Sequence, residues 1–447
     1  MAREYIEHYA AHVEEIQSRW ELAIEAENLQ AVLVHSGTPL VSFQDDYEYA
    51  FRPNPNFLAW LPLTHHHDSS LLIRPGEKPR LFYYQPDDYW YLPPADPEPW
   101  WADHFDIQVI AESTDWRRRL FAQLDGLSFD IRDVAAIGDA PSLAAVFEPD
   151  RINPAGLVAR LQVERTRKTP YEIACISEAS RLAAGAHLEA ESAFREGESE
   201  FRIHQRYLAF CEHADARLPY NNIVALNSHG AVLHYQQRQQ TVPDRLLSFL
   251  IDAGCTVNAY ASDITRTYAR EAGDFAQLVT AMDAMQQDLI RPVRAGLDYR
   301  ELHLQAHREI AAILEDFKII NITAEDAVAT GLSSVFYPHG LGHFIGLQTH
   351  DVAGLIDNGG KAIARPEGHP FLRLTRHLES GNVLTIEPGL YFIEPLLRQW
   401  KLNGDTAAVN WPRVEELMPY GGIRIEDNVV VTESGSENLT RKAFAAL

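Results

Sequence analysis

Apolar and polar residues follow two different periods along the chain, and these periods predict its first elements. Residues 5–28 place apolar side chains at helical spacing. Three short apolar runs, at 31–34, 70–73 and 80–84, are typical of buried strands. The pattern predicts a mixed α/β N-terminal domain over residues 1–155.

The stretch 85–101 is dense in proline, aspartate, tryptophan and tyrosine. It predicts a long ordered loop, because so many aromatic side chains favour burial. A loop that rims a binding cleft is the alternative interpretation.

A second region begins beyond a boundary near residues 153–168. Thr169 and Glu172 have the spacing of a capping box, with Pro170 at the first helical position, so a long helix should start there. Helical periodicity over 275–295 and 299–317 then alternates with strand-like segments. We expect a second domain over residues 165–447.

Two aspartates in this region are the first candidate for chemistry. Asp252 and Asp263 flank a segment that can turn around Val257 and Asn258. In a hairpin without a bulge, centred between those two residues, the carboxylates would face each other. Like charges held opposite each other destabilise a hairpin unless a cation lies between them, so the pair is a candidate metal site.

Three further segments supply ligand-type groups: 339–351 with its histidines, a strand-like stretch ending at Glu387, and 421–427. Arg424 and Glu426 should share one face, because strand side chains alternate. Taken singly, each segment fits an ordinary turn or a surface ion pair. The joint hypothesis is that five side chains bind metal: Asp252, Asp263, His343, Glu387 and Glu426.

That donor set has a definite chemistry. Its four carboxylates would balance two divalent cations, and one imidazole among oxygen donors favours manganese, cobalt, iron or zinc over a thiolate site. Such a centre activates water for hydrolysis of an amide, ester or phosphoester.

The chain at this point resembles a known family, the pita-bread (creatinase/aminopeptidase-like) metallopeptidases, and within it the bacterial Xaa-Pro dipeptidases, or prolidases. The similarity covers nearly the whole chain. It is carried by the segments 219–227, 232–235, 252–267, 338–343, 346–351, 370–376, 385–391 and 421–427, and by 43–47 with 54–57. The resemblance implies a curved antiparallel sheet with outer helices, and manganese-dependent cleavage of dipeptides that end in proline.

The resemblance also implies individual roles. Asp252 would hold one metal, His343 and Glu387 the other, and Asp263 and Glu426 would bridge both. The implied catalytic residues are Glu387, which would also pass a proton, His339, which would stabilise the tetrahedral intermediate, and His350. The implied substrate-binding residues are His234, His350 and Arg373 for the proline carboxylate, Arg424 and Tyr220 in the same pocket, and Asp45 on a loop reaching across a homodimer.

Other functions remain open from the sequence. An aminopeptidase P, which takes longer X-Pro-Y peptides, shares the chemistry, and hydrolysis of organophosphorus anhydrides is a side activity of some members. A non-catalytic binding protein on a degenerate fold is the alternative from another class, although all five ligands are present here.

The composition argues against some classes of binding partner. The 447 residues carry a net charge of −24 with a pI near 5.2, which argues against nucleic acid or an anionic membrane as partner. Three sparse cysteines, one of them Cys255 in the metal hairpin, do not form a disulfide framework. Without a signal peptide or an apolar run of about 18 residues, the expected location is the cytoplasm. The tract from His65 to His67 lies outside the family pattern and is expected to have no function.

Overall fold

The structure is a computed structural model that describes residues 4–127 and 130–447. The chain forms two compact units, which are described separately. Unit 1 comprises Met1–Arg165, Thr169–Ala174 and Asn358–Gly360. Unit 2 comprises Thr166–Lys168, Cys175–Asp357 and Lys361–Leu447.

Unit 1 is built on a mixed sheet with strand order β4-β3-β2-β1-β5. Its strands are β1 (Ala31–His35), β2 (Ser70–Ile73), β3 (Arg80–Tyr84), β4 (Asp106–Ile110) and β5 (Val134–Ile137). Its helices are α1 (Tyr9–Ala26), α2 (Pro55–Leu58), α3 (Pro99–Ala102), α4 (Asp115–Leu127) and α5 (Ala155–Glu164). The three predicted strands and the first helix are therefore confirmed, with a 3-10 turn, Glu4–His8, preceding α1.

The predicted loop at 85–101 is confirmed as largely irregular, ending in the short helix α3. The expectation that its aromatic side chains are buried is wrong for Tyr89, Trp90 and Tyr91, which are 86%, 76% and 64% exposed. Among the tryptophans of this stretch, Trp101 is buried in unit 1, and Trp100 packs edge-on against Tyr9 with ring centres 5.1 Å apart. Asp88 fixes the loop through its own side chain, which accepts a hydrogen bond from the Trp90 amide, so local polar contacts hold the loop instead of a core.

Unit 2 contains strands that all pair in antiparallel fashion. They are β6 (Ile223–Leu226), β7 (Ser248–Asp252), β8 (Thr256–Val257), β9 (Tyr260–Ala261), β10 (Thr265–Ala269), β11 (Val383–Ile386), β12 (Gly389–Tyr391), β13 (Gly422–Arg424), β14 (Asp427–Val431) and β15 (Ser436–Asn438). The sheets have the orders β10-β7-β6, β11-β14-β15, β12-β13 and β8-β9.

The remaining helices begin with α6, which runs through Pro170–Glu196. They continue with α7 (Glu200–Cys211), α8 (Asp274–Ile290), α9 (Tyr299–Asp316), α10 (Ala324–Ala329), α11 (Leu332–Phe336), α12 (Glu394–Asn403), α13 (Trp411–Leu417) and α14 (Leu439–Ala445). Helix α8 stops five residues short of its predicted end at 295, because Pro292 has no amide hydrogen with which to continue the helical hydrogen bonds. None of the described helices is both long and apolar enough to cross a bilayer.

The predicted capping box is confirmed at the start of α6. The Thr169 amide donates to Glu172 Oε2 at 2.8 Å, and the Glu172 amide donates to Thr169 Oγ1 at 3.4 Å. These two bonds satisfy amides that a helix start otherwise leaves unpaired, which fixes where the helix begins.

In unit 2, pairs of helices cover one face of each main sheet. Phe249 and Ile251 of β7 pack in the core that α6 and α7 form, and Leu384 and Ile386 of β11 pack in the core that α8 and α9 form. Because strand side chains alternate, the carboxylates that follow in sequence project from the faces opposite these helices. The packing of the helices therefore determines which face of each sheet carries these carboxylates.

Candidate metal centre and substrate pocket

The hairpin that carries the two aspartates has a different register from the predicted one. Asn258 and Ala259 both have positive φ, 48° and 70°, as in a two-residue type I′ turn, so the centre lies one residue further on. Asp252 consequently pairs with Thr265, and not with Asp263. The two carboxylates still share a face, because the displacement of the partner is two residues.

Asp252 closes β7 with one oxygen held and one free. Its Oδ2 accepts from Arg424 Nη2 at 2.7 Å. Its Oδ1 is buried and has no hydrogen-bond partner among the described residues. A buried carboxylate oxygen without a partner costs about 1–3 kcal/mol or more, so the free oxygen favours a cation as its ligand.

His343 presents a single nitrogen to the carboxylates. Its Nδ1 lies 2.9 Å from the Phe344 carbonyl oxygen, which can only accept, so Nδ1 carries the proton and Nε2 the lone pair. Nε2 lies 3.4 Å from Asp263 Oδ2 and 3.5 Å from Glu387 Oε1. Ligands about 2.1 Å from a shared ion are about 3.0–3.4 Å apart, so this spacing fits one metal position.

Glu426 joins the same group from the segment between β13 and β14. Ligand atoms of Asp263, His343 and Glu426 all lie within 4.8 Å of one another, and all three residues are buried. Thr265 Oγ1 donates to Glu426 Oε2 at 2.7 Å and accepts from Arg424 Nε at 3.2 Å. Arg424 and Glu426 therefore contact the same hydroxyl, in agreement with the predicted shared face.

The charges of the group require compensation. Burial raises the pKa of Glu387 to about 7 and, with repulsion from Asp263 and Glu387, raises that of Glu426 well above its ordinary value. Burial also raises the pKa of Asp252, against the attraction of Arg424. Buried carboxylates this close together are stable as anions only with cations among them. The donor set and its spacing thus fit divalent metal ions.

His339 lies in a chain of hydrogen bonds behind these ligands. Arg424 Nη1 donates to Tyr391 Oη at 2.7 Å, and Tyr391 Oη lies 2.8 Å from His339 Nε2. Because arginine can only donate, the tyrosine proton is available for His339, whose Nδ1 donates to the Gly340 carbonyl at 2.9 Å. Burial, with Arg424, lowers the pKa of His339 to about 3, so the ring is neutral.

The side chains proposed to bind the substrate's carboxylate are more exposed to solvent than the metal ligands. His234, His350 and Arg373 are exposed. Within residues 4–127 and 130–447 the Arg373 guanidinium makes no hydrogen bond or ion pair, so it is available to an anion. His350 packs edge to face against His343, with ring centres 4.4 Å apart. Tyr220 Oη is buried next to the aspartates, whose charges together with burial raise its pKa well above its ordinary value.

Two predicted features belong to unit 1. Asp45 is exposed in the turn where its amide donates to the Ser42 carbonyl, and its side chain accepts from the Asp46 amide. In the histidine tract, His66 Nε2 hydrogen-bonds the Tyr84 carbonyl and His67 Nδ1 pairs with Asp68. Both contacts are local to unit 1.

Sequence reasoning missed several residues that shape the site. Thr265 lies two positions after Asp263 on the same face, a signal that strand alternation offered. Tyr391 ends the segment 385–391, which carries part of the family resemblance, but no role was predicted for it. Lys168 forms a buried ion pair with Asp351 at 2.9 Å, directly after His350. Lys168 is remote in sequence from every motif, and no local pattern could have identified it.

Comparisons with known proteins agree with this geometry. The model described as "Metallopeptidase family M24" matches residues 174–433, and "Xaa-Pro dipeptidase, N-terminal domain" matches residues 7–163. A Xaa-Pro dipeptidase of Xanthomonas campestris pv. campestris (strain B100) is 48% identical over 441 residues, 98% of each chain. One of Stenotrophomonas maltophilia (strain K279a) is 46% identical over 441 residues, 98% of this chain and 97% of the relative.

Solved structures show the fold. Zinc-substituted aminopeptidase P of Escherichia coli in complex with product superposes with a TM-score of 0.71 at 23% identity, covering 99% of this chain and 96% of the other. A variant of the same enzyme in complex with substrate gives 0.71 at 25% identity, covering 96% and 95%. The predicted α/β (α+β) class, with a mixed N-terminal domain and a pita-bread C-terminal domain, is confirmed.

Proposed function

The chain belongs to metallopeptidase family M24, and from this we propose that it is a metal-dependent dipeptidase that hydrolyses Xaa-Pro dipeptides and releases proline. The single observation that carries the proposal is the convergence of buried carboxylates with His343 Nε2 in a chain 48% identical to Xaa-Pro dipeptidases along its length. We assign residues 1–155 to the N-terminal domain and 165–447 to the catalytic domain.

The proposed ligands are Asp252, Asp263, His343, Glu387 and Glu426. When bound, divalent metal ions supply Lewis-acid activation of the scissile carbonyl and of the attacking water. Manganese is the proposed native metal, because a donor set of four carboxylates and one imidazole suits a hard cation; cobalt, iron and zinc fit the same set less selectively.

Glu387 is the proposed proton carrier. Its Oε1 faces His343, and its Oε2 lies 3.9 Å from His339 Nδ1. In the proposed step a water oxygen bonds to the imide carbon, Glu387 takes the water proton, and the carbon–nitrogen bond breaks as the proton passes to the proline nitrogen. His339, held neutral and oriented by Tyr391, stabilises the tetrahedral intermediate.

The substrate's carboxylate is proposed to bind His234, His350 and Arg373. The charges of Arg373 and His234 both reach His350, which supports their grouping. An exposed arginine pairs with anions less strongly than a buried one, so this pocket should select dipeptides by several contacts together. Arg424 and Tyr220 are proposed to line the wall beside Asp252.

The test is hydrolysis of Ala-Pro beside Ala-Pro-Ala by metal-stripped protein, with and without added manganese. Manganese-dependent cleavage of the dipeptide alone is the expected result. Preferential cleavage of the tripeptide would assign the chain to aminopeptidase P instead. Loss of both activities in fully metal-loaded protein would contradict peptidase function and favour an organophosphate hydrolase or a binding protein.

We further propose a homodimer in which unit 1 contributes the contact and Asp45 approaches the partner's pocket. The segment around the Ser42–Asp45 turn exposes large apolar side chains, which single-chain proteins usually cover. These are Leu40, Val41, Phe43, Tyr47 and Tyr49. Sedimentation of the wild type against Phe43→Ser tests this, and a wild-type monomer would refute it.

A cytoplasmic location is also proposed. Cys175, Cys211 and Cys255 are buried and form no disulfide, which fits a reducing compartment.

A further inference from the structure

Unit 2 contains a second group of ligand-type side chains, made only of histidines. His303 and His307 lie one turn apart on α9, and His369 approaches them from the segment 366–373. One nitrogen of each residue lies within 4.8 Å of the others, and His303 Nε2 is 3.0 Å from His369 Nδ1. Nitrogen ligands about 2.0–2.1 Å from a tetrahedral ion lie about 3.3 Å apart, so little movement would bring the three onto one ion.

Protein contacts leave this histidine cluster unsatisfied. His307 Nδ1 is held by Ser333 Oγ at 3.1 Å, but its Nε2 is buried with no partner among the described residues. His303 Nδ1 is likewise buried and unpartnered, although His303 and His307 are each only 1% exposed. Each unpaired buried nitrogen costs about 1–3 kcal/mol, a cost that coordination of an ion would offset.

The rings are available as ligands because they are neutral. Burial, with the neighbouring histidines, lowers the pKa of His303 to about 2 and that of His307 to about 3, and burial also lowers the pKa of His369. A deprotonated imidazole offers its lone pair without first losing a proton, which removes the usual competition between protons and metal.

We propose that His303, His307 and His369 form a third metal site, distinct from the carboxylate centre, that binds one zinc-like transition-metal ion. Three imidazoles without a carboxylate favour zinc, cobalt or copper, whereas manganese prefers oxygen donors. The two sites are separated by the Tyr337 and His339 rings: Tyr337 lies 4.7 Å from His307 and 5.0 Å from His339, measured between ring centres.

The ion would act on the substrate pocket through the segment 366–373. This segment lies against the His339 loop so closely that a Cβ at Gly340 would come within 2.9 Å of Leu372 Cα and of the Phe371 carbonyl oxygen. Arg373 follows four residues after His369. A metal bond to His369 would therefore anchor to α9 the segment that carries the proposed carboxylate-binding arginine.

The test is cobalt binding to manganese-loaded protein. Total bound metal is measured after dialysis, and the visible spectrum reports tetrahedral cobalt. We expect wild type to hold one equivalent more metal than His307→Asn and His369→Ala, and to show an intense spectrum that both variants lack. His307→Asn keeps a polar group for Ser333, and His369→Ala alters a half-buried loop residue, so both should fold.

His377→Ala is the matched control, because His377 is an exposed histidine close to the same segment. It should retain the extra equivalent and the spectrum. Hydrogen exchange at 366–373 should slow on cobalt addition in wild type and His377→Ala only. Equal metal content in all four proteins, or cobalt held only at the carboxylate centre, would overturn the third site. Ala-Pro hydrolysis is no part of the readout, so failure here is distinguishable from failure of the dipeptidase proposal.

Discussion

Replacing Tyr391 with phenylalanine tests whether the hydrogen-bond chain behind the metal ligands orients His339. The change removes one hydroxyl and keeps the ring, which is fully buried. That hydroxyl accepts from Arg424 Nη1 and faces His339 Nε2. No other described residue reaches His339 Nε2, so the imidazole would lose the contact that orients its Nε2 side.

The structure sets the expected size of the effect. A hydrogen bond to a charged group contributes about 1.5–3 kcal/mol, and one between neutral groups about 0.5–1.5 kcal/mol. Arg424 keeps Asp252 and Thr265 as partners, so its charge stays paired and the loss falls mainly on His339. A transition-state loss of about 1–1.5 kcal/mol lowers kcat/KM about 5- to 12-fold. The decrease should appear in kcat, because Tyr391 makes no hydrogen bond to His234, His350 or Arg373, the proposed ligands of the substrate carboxylate.

Steady-state hydrolysis of Ala-Pro by manganese-loaded protein measures the effect, with bound metal determined on the same samples. Tyr268→Phe is the control, since Tyr268 is a half-buried tyrosine of the same unit whose hydroxyl makes no hydrogen bond to the described residues. If fully loaded Tyr391→Phe keeps kcat/KM within about twofold of wild type, the reasoning that His339 depends on Tyr391 is refuted.

Three other outcomes follow from the contacts. Arg424→Lys cannot hold Asp252, Tyr391 and Thr265 together, so manganese affinity should fall about 10- to 100-fold by titration calorimetry, and an unchanged Kd would contradict this. Lys168→Met removes the cation that is paired with the buried Asp351 carboxylate and should cost about 3–5 kcal/mol in urea unfolding, most of it recovered by adding Asp351→Leu; an equally unstable double variant would argue against the pair. Burial lowers the pKa of His35 and His66 to about 4. Since both folded values lie below the ordinary 6.5, unit 1 should lose up to about 1.4 kcal/mol per pH unit per histidine as pH falls from about 6.5 to about 4, and a urea midpoint that does not fall on acidification would exclude this.

Local rules predicted much of the fold because the relevant signals are local. Strands β2 and β3 were predicted to their ends, since their apolar runs are short and bounded by polar residues. The capping box of Thr169 and Glu172 needs only four residues of chain, and it is present with both hydrogen bonds. Helix periodicity located α8 and α9, and Pro292 explains why the end of α8 was placed five residues too far along.

The predictions were wrong or incomplete where the structure depends on contacts between residues that are far apart in sequence. The aromatic loop at 85–101 was expected to be buried, but burial depends on whether another element covers it, and none of unit 1 covers Tyr89 or Trp90. The third histidine of the cluster, His369, lies 66 residues beyond His303 in sequence. Only the i, i+4 pair of His303 and His307 was visible locally, and on a helix face such a pair is usually structural.

The hairpin error shows why a metal site can be predicted from an incorrect register. The predicted partner of Asp252 was Asp263, and the observed one is Thr265. A strand's side chains repeat every two residues, so a displacement by two moves a carboxylate along the face without changing faces. A displacement by one would have sent Asp263 into the core with Ile264 and removed it from His343. Whether the ligands lie on one face therefore depends mainly on whether the number of residues between them is odd or even, and less on the position of the turn. That number can be read directly from the sequence.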